Sequence, residues 1–251
     1  MTEPLLDLTG KVCLVTGGSR GLGREMVLAF AAHGADVVIA SRKLENCEQV
    51  ADDVRARFGR EALAVASNVS DWEQCDQLVV TAYESFGRVD VLVNNAGLSP
   101  LYASLETLEE SLFDKVVAVN LKGPFRLTAL IGARMAAGAG GSIINISSVA
   151  SLRPDPAFLP YAAAKAGLNA ITEGFARAYG PTVRVNAIVA GMFATDISKA
   201  WAPETFERAG QTLALGRVGE PREIVGAALY LASDASSYCT GATLRLDGGA
   251  P

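Results

Sequence analysis

The chain holds a single histidine, His33, and four cysteines, Cys13, Cys47, Cys75 and Cys239, with no CxxC spacing among them. A structural zinc site asks for about four nitrogen or sulfur ligands grouped together. No such group is visible, so no metal is expected. Thiols this widely spaced do not form a disulfide framework and suit a reducing, cytoplasmic setting. No apolar run reaches the roughly 18 residues of a membrane span. The stretch from Met1 to Gly10 lacks the basic and apolar regions of a signal peptide, so neither secretion nor membrane insertion is expected. Basic residues are outnumbered, 22 against 27 acidic, and are scattered. That excludes the clustered basic patch a nucleic-acid partner requires.

What the chain has in quantity is apolar sequence, half of its 251 residues. That suffices for one large α/β domain with a substantial core. Short apolar runs at Val12 to Val15, Val37 to Ala40, Ala62 to Ala66, Val91 to Val93, Ser142 to Ile146, Val183 to Val189 and Thr243 to Leu246 read as buried strands. Helical periodicity fills the gaps at Gly23 to Ala32, Leu44 to Phe58, Trp72 to Phe86, Glu109 to Met135, Tyr161 to Tyr179 and Pro221 to Leu231. Continuous apolar strands joined by helices are what a parallel sheet covered on both faces requires. The expectation is a single doubly wound domain over residues 1–251, with about seven parallel strands and helices on both faces.

Thr16-Gly17-Gly18-Ser19-Arg20-Gly21-Leu22-Gly23 follows the first strand and opens a helix. Glycine lets the backbone approach a ligand closely, and a helix N-terminus offers free N–H groups to a pyrophosphate. A glycine-rich turn alone describes any tight strand-to-helix connection. Its place after the first strand points to a dinucleotide. The second strand ends in Ser41-Arg42 with no acid. An acid there binds the ribose hydroxyls of NAD, whereas arginine accommodates the 2′-phosphate of NADP. With Arg20 able to converge on the same phosphate, NADP(H) is the expected cofactor, NAD(H) remaining possible. Arg42 as a simple cap on a strand end is the alternative.

Tyr161 and Lys165 stand four apart in a helical pattern, so both reach one face. A free tyrosine, with a pKa of about 10, is a sluggish base, and a neighbouring ammonium favours the phenolate. Ser148, thirteen residues before the tyrosine, can hold the oxygen that gains or loses the proton. Read alone, YxxxK also describes a surface pair on an ordinary helix.

With Asn94-Asn95-Ala96-Gly97 after the fourth strand, Asn120 in the next helix and Leu246-Asp247-Gly248-Gly249 near the end, the chain strongly resembles the short-chain dehydrogenase/reductase family, from Gly10 to Gly249. The resemblance implies a Rossmann-like fold and a catalytic tetrad of Asn120, Ser148, Tyr161 and Lys165. It places Gly17, Ser19, Arg20, Gly21, Leu22, Gly23, Ser41, Arg42, Asn68, Val69, Asn95, Ala96, Gly97, Ala190, Gly191, Phe193 and Thr195 around the cofactor. Lys165 would also bond the nicotinamide ribose, and Tyr161 border it. A homotetramer paired through the two long helices is implied as well. Pro124, four residues after Asn120, has no N–H for the carbonyl of residue 120, leaving it for the relay water the family uses. Two positions depart from the family pattern. Asn68 replaces the usual aspartate, with a contact to adenine still expected, and Ala190-Gly191 replaces Pro-Gly, which frees a backbone dihedral.

A substrate lid is expected at about 192–215, bearing Trp201 and Phe206. Phe158, Phe193 and Trp201 suggest an apolar pocket and Arg153 an anionic contact, although ordinary packing explains each equally well. The expected activity is interconversion of a carbonyl and a secondary alcohol by hydride transfer. The alternatives are a 3-oxoacyl-thioester reductase acting on an acyl carrier protein, and a non-catalytic protein that senses nicotinamide dinucleotides.

Overall fold

Val12 to Thr16 is buried along its whole length in the computed structural model, which describes residues 5–195 and 210–251. Five consecutive buried side chains cannot share one face of a strand, because alternate residues point opposite ways. Cys13 and Val15 enter a core with Met26, Phe30 and Ile39. Val12 and Leu14 enter another with Leu78, Leu92, Leu127 and Ile131. Cover on both faces is why this strand reads as an unbroken apolar run.

This strand is β1 (Val12–Thr16). It leads to α1 (Gly21–Ala32), β2 (Asp36–Ser41), α2 (Leu44–Phe58), β3 (Ala62–Ala66), α3 (Trp72–Phe86) and β4 (Val91–Asn94). Then come α4 (Glu110–Val117), α5 (Gly123–Ala137), β5 (Gly141–Ser148), α6 (Leu159–Tyr179), β6 (Val183–Ala190), α7 (Val225–Ala232) and β7 (Thr243–Leu246). The seven strands form one parallel sheet in the order β3-β2-β1-β4-β5-β6-β7. Strand order reverses between β1 and β4, and in such sheets ligands bind outside the carboxyl ends of the strands at that reversal.

The seven strands agree with the sequence reading in number and place. One helix differs. The stretch predicted as a single helix over 109–135 is α4, a π turn at Ala118–Lys122, and α5. Pro124 has no N–H to continue the α-helical ladder, and the N–H of Gly123 reaches back to the carbonyl of Ala118. Gly123 is also where another backbone comes closest: a Cβ there would lie 2.1 Å from the carbonyl oxygen of Val69. Glu110–Ala137 is long enough for a membrane span and contains an 18-residue window with a mean hydropathy of 1.2. It nevertheless packs α5 against α3 and α6 and ties Arg126 to Asp76, as a core helix does.

Candidate active site

The glycine loop after β1 is folded on itself. Gly17 takes a φ of 64°, and a Cβ on Gly23 would sit 2.2 Å from the Gly17 carbonyl oxygen. Asn95, just past β4, fastens the loop. Its Nδ2 donates to the carbonyls of Thr16 at 2.9 Å and Gly17 at 3.2 Å. Thr16 Oγ1 accepts from the N–H groups of Asn95 and Ala96, at 3.0 and 3.2 Å. The side chain of Asn95 therefore shapes the loop; any part it has in a cofactor site runs through Gly17. Arg20, in extended conformation, precedes α1, which no side chain caps and whose first turn has no acid. Its first N–H groups and the helix dipole thus stand available to an anion beside Ser19, Gly21 and Leu22. That donor set fits a dinucleotide pyrophosphate.

At the end of β2, Arg42 is exposed, as is Arg20 across the crevice. Neither pairs with an acid among the described residues. The hydroxyl of Ser41 turns inward, 3.1 Å from Cys47 Sγ. Asn68 Oδ1 accepts the N–H and hydroxyl of Ser70, at 3.3 and 2.9 Å. Val69 is buried, its carbonyl against Gly123 and 3.4 Å from Cys75 Sγ.

The four residues of the implied tetrad come from three neighbouring elements. Asn120, fully buried in the π turn, donates from Nδ2 to the carbonyls of Leu98 at 2.7 Å and Val116 at 2.9 Å. Its Oδ1 accepts the N–H of Leu98 at 3.2 Å. Asn120 thereby pins the chain just beyond Gly97, where a Cβ would approach both Asn120 Oδ1 and Lys165 Nζ. Lys165, 3% exposed, donates from Nζ to the Ile146 carbonyl at 2.7 Å. The same Nζ lies 5.7 Å from the centre of the Tyr161 ring. Ser148, the last residue of β5, lies near enough to the Tyr161 phenol to favour its ionised form.

In the protein alone, burial acts on both charge states. Burial pushes the Tyr161 phenol above its ordinary value, and the nearby Ser148 only partly opposes it. Burial also brings the Lys165 ammonium down to about 7. No counter-charge offsets the desolvation of either group, so each moves toward its neutral form. A permanent ammonium lowering the tyrosine pKa is not what this arrangement holds on its own.

Beyond β6, Ala190 and Gly191 run beside the chain end. A Cβ on Gly191 would lie 2.5 Å from the Cα of Asp247. Phe193 is buried and bridged to Gly219, whose N–H donates to Met192 and whose carbonyl accepts from Ala194. The dihedral freed by losing proline belongs to Ala190, which the sheet holds between Ser148 and Leu246. Phe193 packs on Gly219. Thr195 comes within contact range of Gly21, joining this loop to the phosphate turn. Of the expected lid, residues 196–209, including Trp201 and Phe206, lie outside the described residues. Phe158 borders a small cavity behind Tyr161, beside Pro100, Tyr102 and Leu112. An open cleft of about 490 Å³ lies farther out, between Leu101 and Lys115.

Two groups of residues have roles that the sequence reading did not assign. Asn94 Nδ2 donates to Thr128 Oγ1 at 3.0 Å and Asn145 Oδ1 at 2.9 Å, and Asn145 Nδ2 donates to Thr172 Oγ1 at 2.9 Å. All four are buried. They join β4, β5, α5 and α6 beneath the site. The signal was present as polar residues inside otherwise apolar strands. Ser151 and Asn169 form the second group, and pattern alone does not reveal it.

Comparison with known proteins sets this geometry in context. A family model described as Enoyl-(Acyl carrier protein) reductase matches residues 17–251. A 3-oxoacyl-(acyl-carrier-protein) reductase of Thermotoga maritima is 38% identical, over 97% of this chain and 99% of its own. An L-rhamnose 1-dehydrogenase (NAD(P)(+)) of Azotobacter vinelandii is 39% identical, over 96% and 97%. Among solved structures, a 7α-hydroxysteroid dehydrogenase complexed with NADH and 7-oxo glycochenodeoxycholic acid gives a TM-score of 0.95 at 30% identity, covering 100% of this chain and 98% of that one.

Proposed function

Because the chain belongs to the short-chain dehydrogenase/reductase family, we propose that it is an NADP(H)-dependent oxidoreductase interconverting a carbonyl and a secondary alcohol. The observation that carries this reading is the meeting of Tyr161, Ser148 and buried Lys165 beside an uncapped α1 N-terminus. Ser19 to Gly23 hold the pyrophosphate, Arg20 and Arg42 the 2′-phosphate, and Lys165 the nicotinamide ribose. When bound, the dinucleotide supplies or takes up the hydride at the substrate carbon. The protein does the rest. Ser148 orients the substrate oxygen, and Tyr161 Oη gives it a proton in reduction or removes one in oxidation. Lys165 Nζ, held as the ammonium by acceptors such as the ribose hydroxyls it would bond, would favour the phenolate of Tyr161. Asn120 fixes the backbone at Leu98, on the wall of the same crevice.

A screen of ketones and secondary alcohols, followed through nicotinamide absorbance, tests the activity, and failure with all of them counts against it. Cofactor preference has its own test. Charge-assisted bonds from arginine to phosphate contribute roughly 1.5–3 kcal/mol each. Arg42→Ala is therefore expected to weaken NADP binding about ten- to a hundredfold and leave NAD binding nearly unchanged. If the unmodified enzyme has the higher kcat/KM with NAD, the reading of Ser41-Arg42 fails.

Relatives of nearly equal identity carry names from unrelated substrate classes, an acyl thioester and a sugar, so likeness alone does not choose the substrate. The family model's description and the Thermotoga relative favour a second reading, reduction of a 3-oxoacyl thioester. Docking an acidic carrier protein asks for free basic residues, and over 134–141 the only one, Arg134, lies 4.4 Å over the ring of Tyr83. Turnover of 3-oxoacyl thioesters well above that of simple ketones would favour this second reading.

The proposed assembly is a homotetramer. Ala163, Ala166, Ala170 and Gly174 form an exposed stripe of small residues on α6. Phe113 and Phe125 stand 44% and 42% exposed on the neighbouring helices. A helix apolar beyond its core face has a second partner, and closed symmetric pairing is the usual one. Light scattering at micromolar concentration is expected to give four chain masses; a monomer refutes the assembly.

A further inference from the structure

Ser148 is held on two sides, and one hold comes from the helix that carries Tyr161 and Lys165. Its hydroxyl accepts the N–H of Ala150 at 3.2 Å, and its carbonyl accepts the hydroxyl of Ser151 at 2.6 Å. Ser151 in turn receives Nδ2–H of Asn169 at 2.9 Å, from α6 one turn beyond Lys165. The directions in this chain are forced. A serine hydroxyl has one proton; Ser151 uses it on the Ser148 carbonyl, so Asn169 must present a donor. The Oδ1 of Asn169 is left buried without a partner, which is unfavourable for a polar atom removed from water. The amide is thus oriented for Ser151 at the expense of its own other end. Beside it, the Ser147 hydroxyl reaches the Lys165 carbonyl at 3.4 Å, a second tie between β5 and α6.

We propose that Ser151 and Asn169 are positioning residues, which lock the direction of the Ser148 hydroxyl to the helix on which Tyr161 and Lys165 stand. This rests on the roles proposed above for Ser148 and Tyr161. Ser148 is the last residue of β5 in register with β6, paired with Ala190. Past it the sheet no longer fixes the backbone. A planar peptide leaves one soft dihedral between the Ser148 Cα and its carbonyl. Holding that carbonyl holds the dihedral, at 152° here, and with it the frame from which the hydroxyl projects. Reaction needs its partners at about 3–3.5 Å, and a misplacement of about 1 Å can cost a hundredfold in rate.

The test measures kcat, KM and cofactor Kd in the full-length enzyme for Ser148→Ala, Ser151→Ala, Ser151→Thr, Asn169→Ala and the double variant Ser148→Ala/Ser151→Ala. Ser151→Ala and Asn169→Ala are expected to lose about tenfold in kcat with cofactor Kd unchanged. Ser151→Thr, which keeps the hydroxyl, should recover most of the rate. In alcohol oxidation, the pH at which the rate levels should move upward for Ser151→Ala, since a displaced Ser148 supports the phenolate less. The double variant should be no slower than Ser148→Ala alone, because Ser151 acts only through Ser148. Wild-type kcat for Ser151→Ala beside a slow Ser148→Ala overturns the proposal. So do losses that multiply in the double variant, or a threonine variant as slow as alanine. A Ser148→Ala enzyme of wild-type rate would instead overturn the role of Ser148 itself, and the positioning role with it.

Discussion

Tyr161→Phe is expected to lose about 10²–10⁴-fold in kcat, the usual contribution of a general acid–base group, while binding cofactor as well as the parent. The ring keeps its place against the cavity of Pro100, Phe158 and Pro160; only the transferable proton goes. A variant retaining more than about a tenth of parental turnover is incompatible with an acid–base role of the size such groups have. The direction of proton transfer fixes the sign of the pH dependence. Oxidation needs the phenolate, so oxidation kcat/KM should rise with pH through the titration of Tyr161 in the enzyme–cofactor complex, where the Lys165 ammonium works against the upward push of burial. Reduction needs the protonated phenol and should be flat until the same region, then fall. Opposite slopes for the two directions in one buffer series are the signature.

Lys165→Met should act on turnover, cofactor binding and stability together. Removing the ammonium takes away the charge that favours phenolate and the proposed ribose contact, so both kcat and cofactor affinity should fall. An effect on turnover alone would remove the ribose contact. For stability, the folded protein holds this lysine near 7, against an ordinary value of 10.5. Between those values the unfolded chain binds more protons than the folded one. Stability from this group therefore rises with pH across that window, and the penalty of burying a charge is fully present below about pH 7. Methionine removes that penalty. Without added cofactor, the variant's melting temperature relative to the parent should be higher at pH 6 than at pH 9. The variant also leaves the Ile146 carbonyl without its 2.7 Å donor, which costs about 1 kcal/mol at any pH. The diagnostic is the difference between the two pH values; equal shifts at both contradict a depressed lysine.

The strands were legible because burial on both faces writes itself as local apolar runs, as in Val12–Thr16 and Val183–Ala190. The helix break was half legible. Pro124 announced a disturbed ladder, but the reason the turn closes on Gly123 is the Val69 carbonyl, more than fifty residues earlier in the chain. The glycine loop was legible as backbone freedom after a strand. That Asn95 holds the loop, and that Asn68 accepts from Ser70, depends on where two short amides point once the fold has closed. Spacing carries no record of that. The charge states of Tyr161 and Lys165 in the protein alone were not legible for a related reason. Sequence shows that the two are neighbours, whereas the depth of their burial, which sets the sign of both shifts, is a property of α6 packed on β5.

The most direct test of the central claim uses NADPH carrying deuterium at the transferable position, a panel of ketones, and mass spectrometry of the products. The expected result is one deuterium on the carbinol carbon of at least one product, lost when Tyr161 is replaced by phenylalanine. Tight binding of the dinucleotide with no label in any product, thioesters included, would contradict the claim and favour a protein that senses the cofactor without using it.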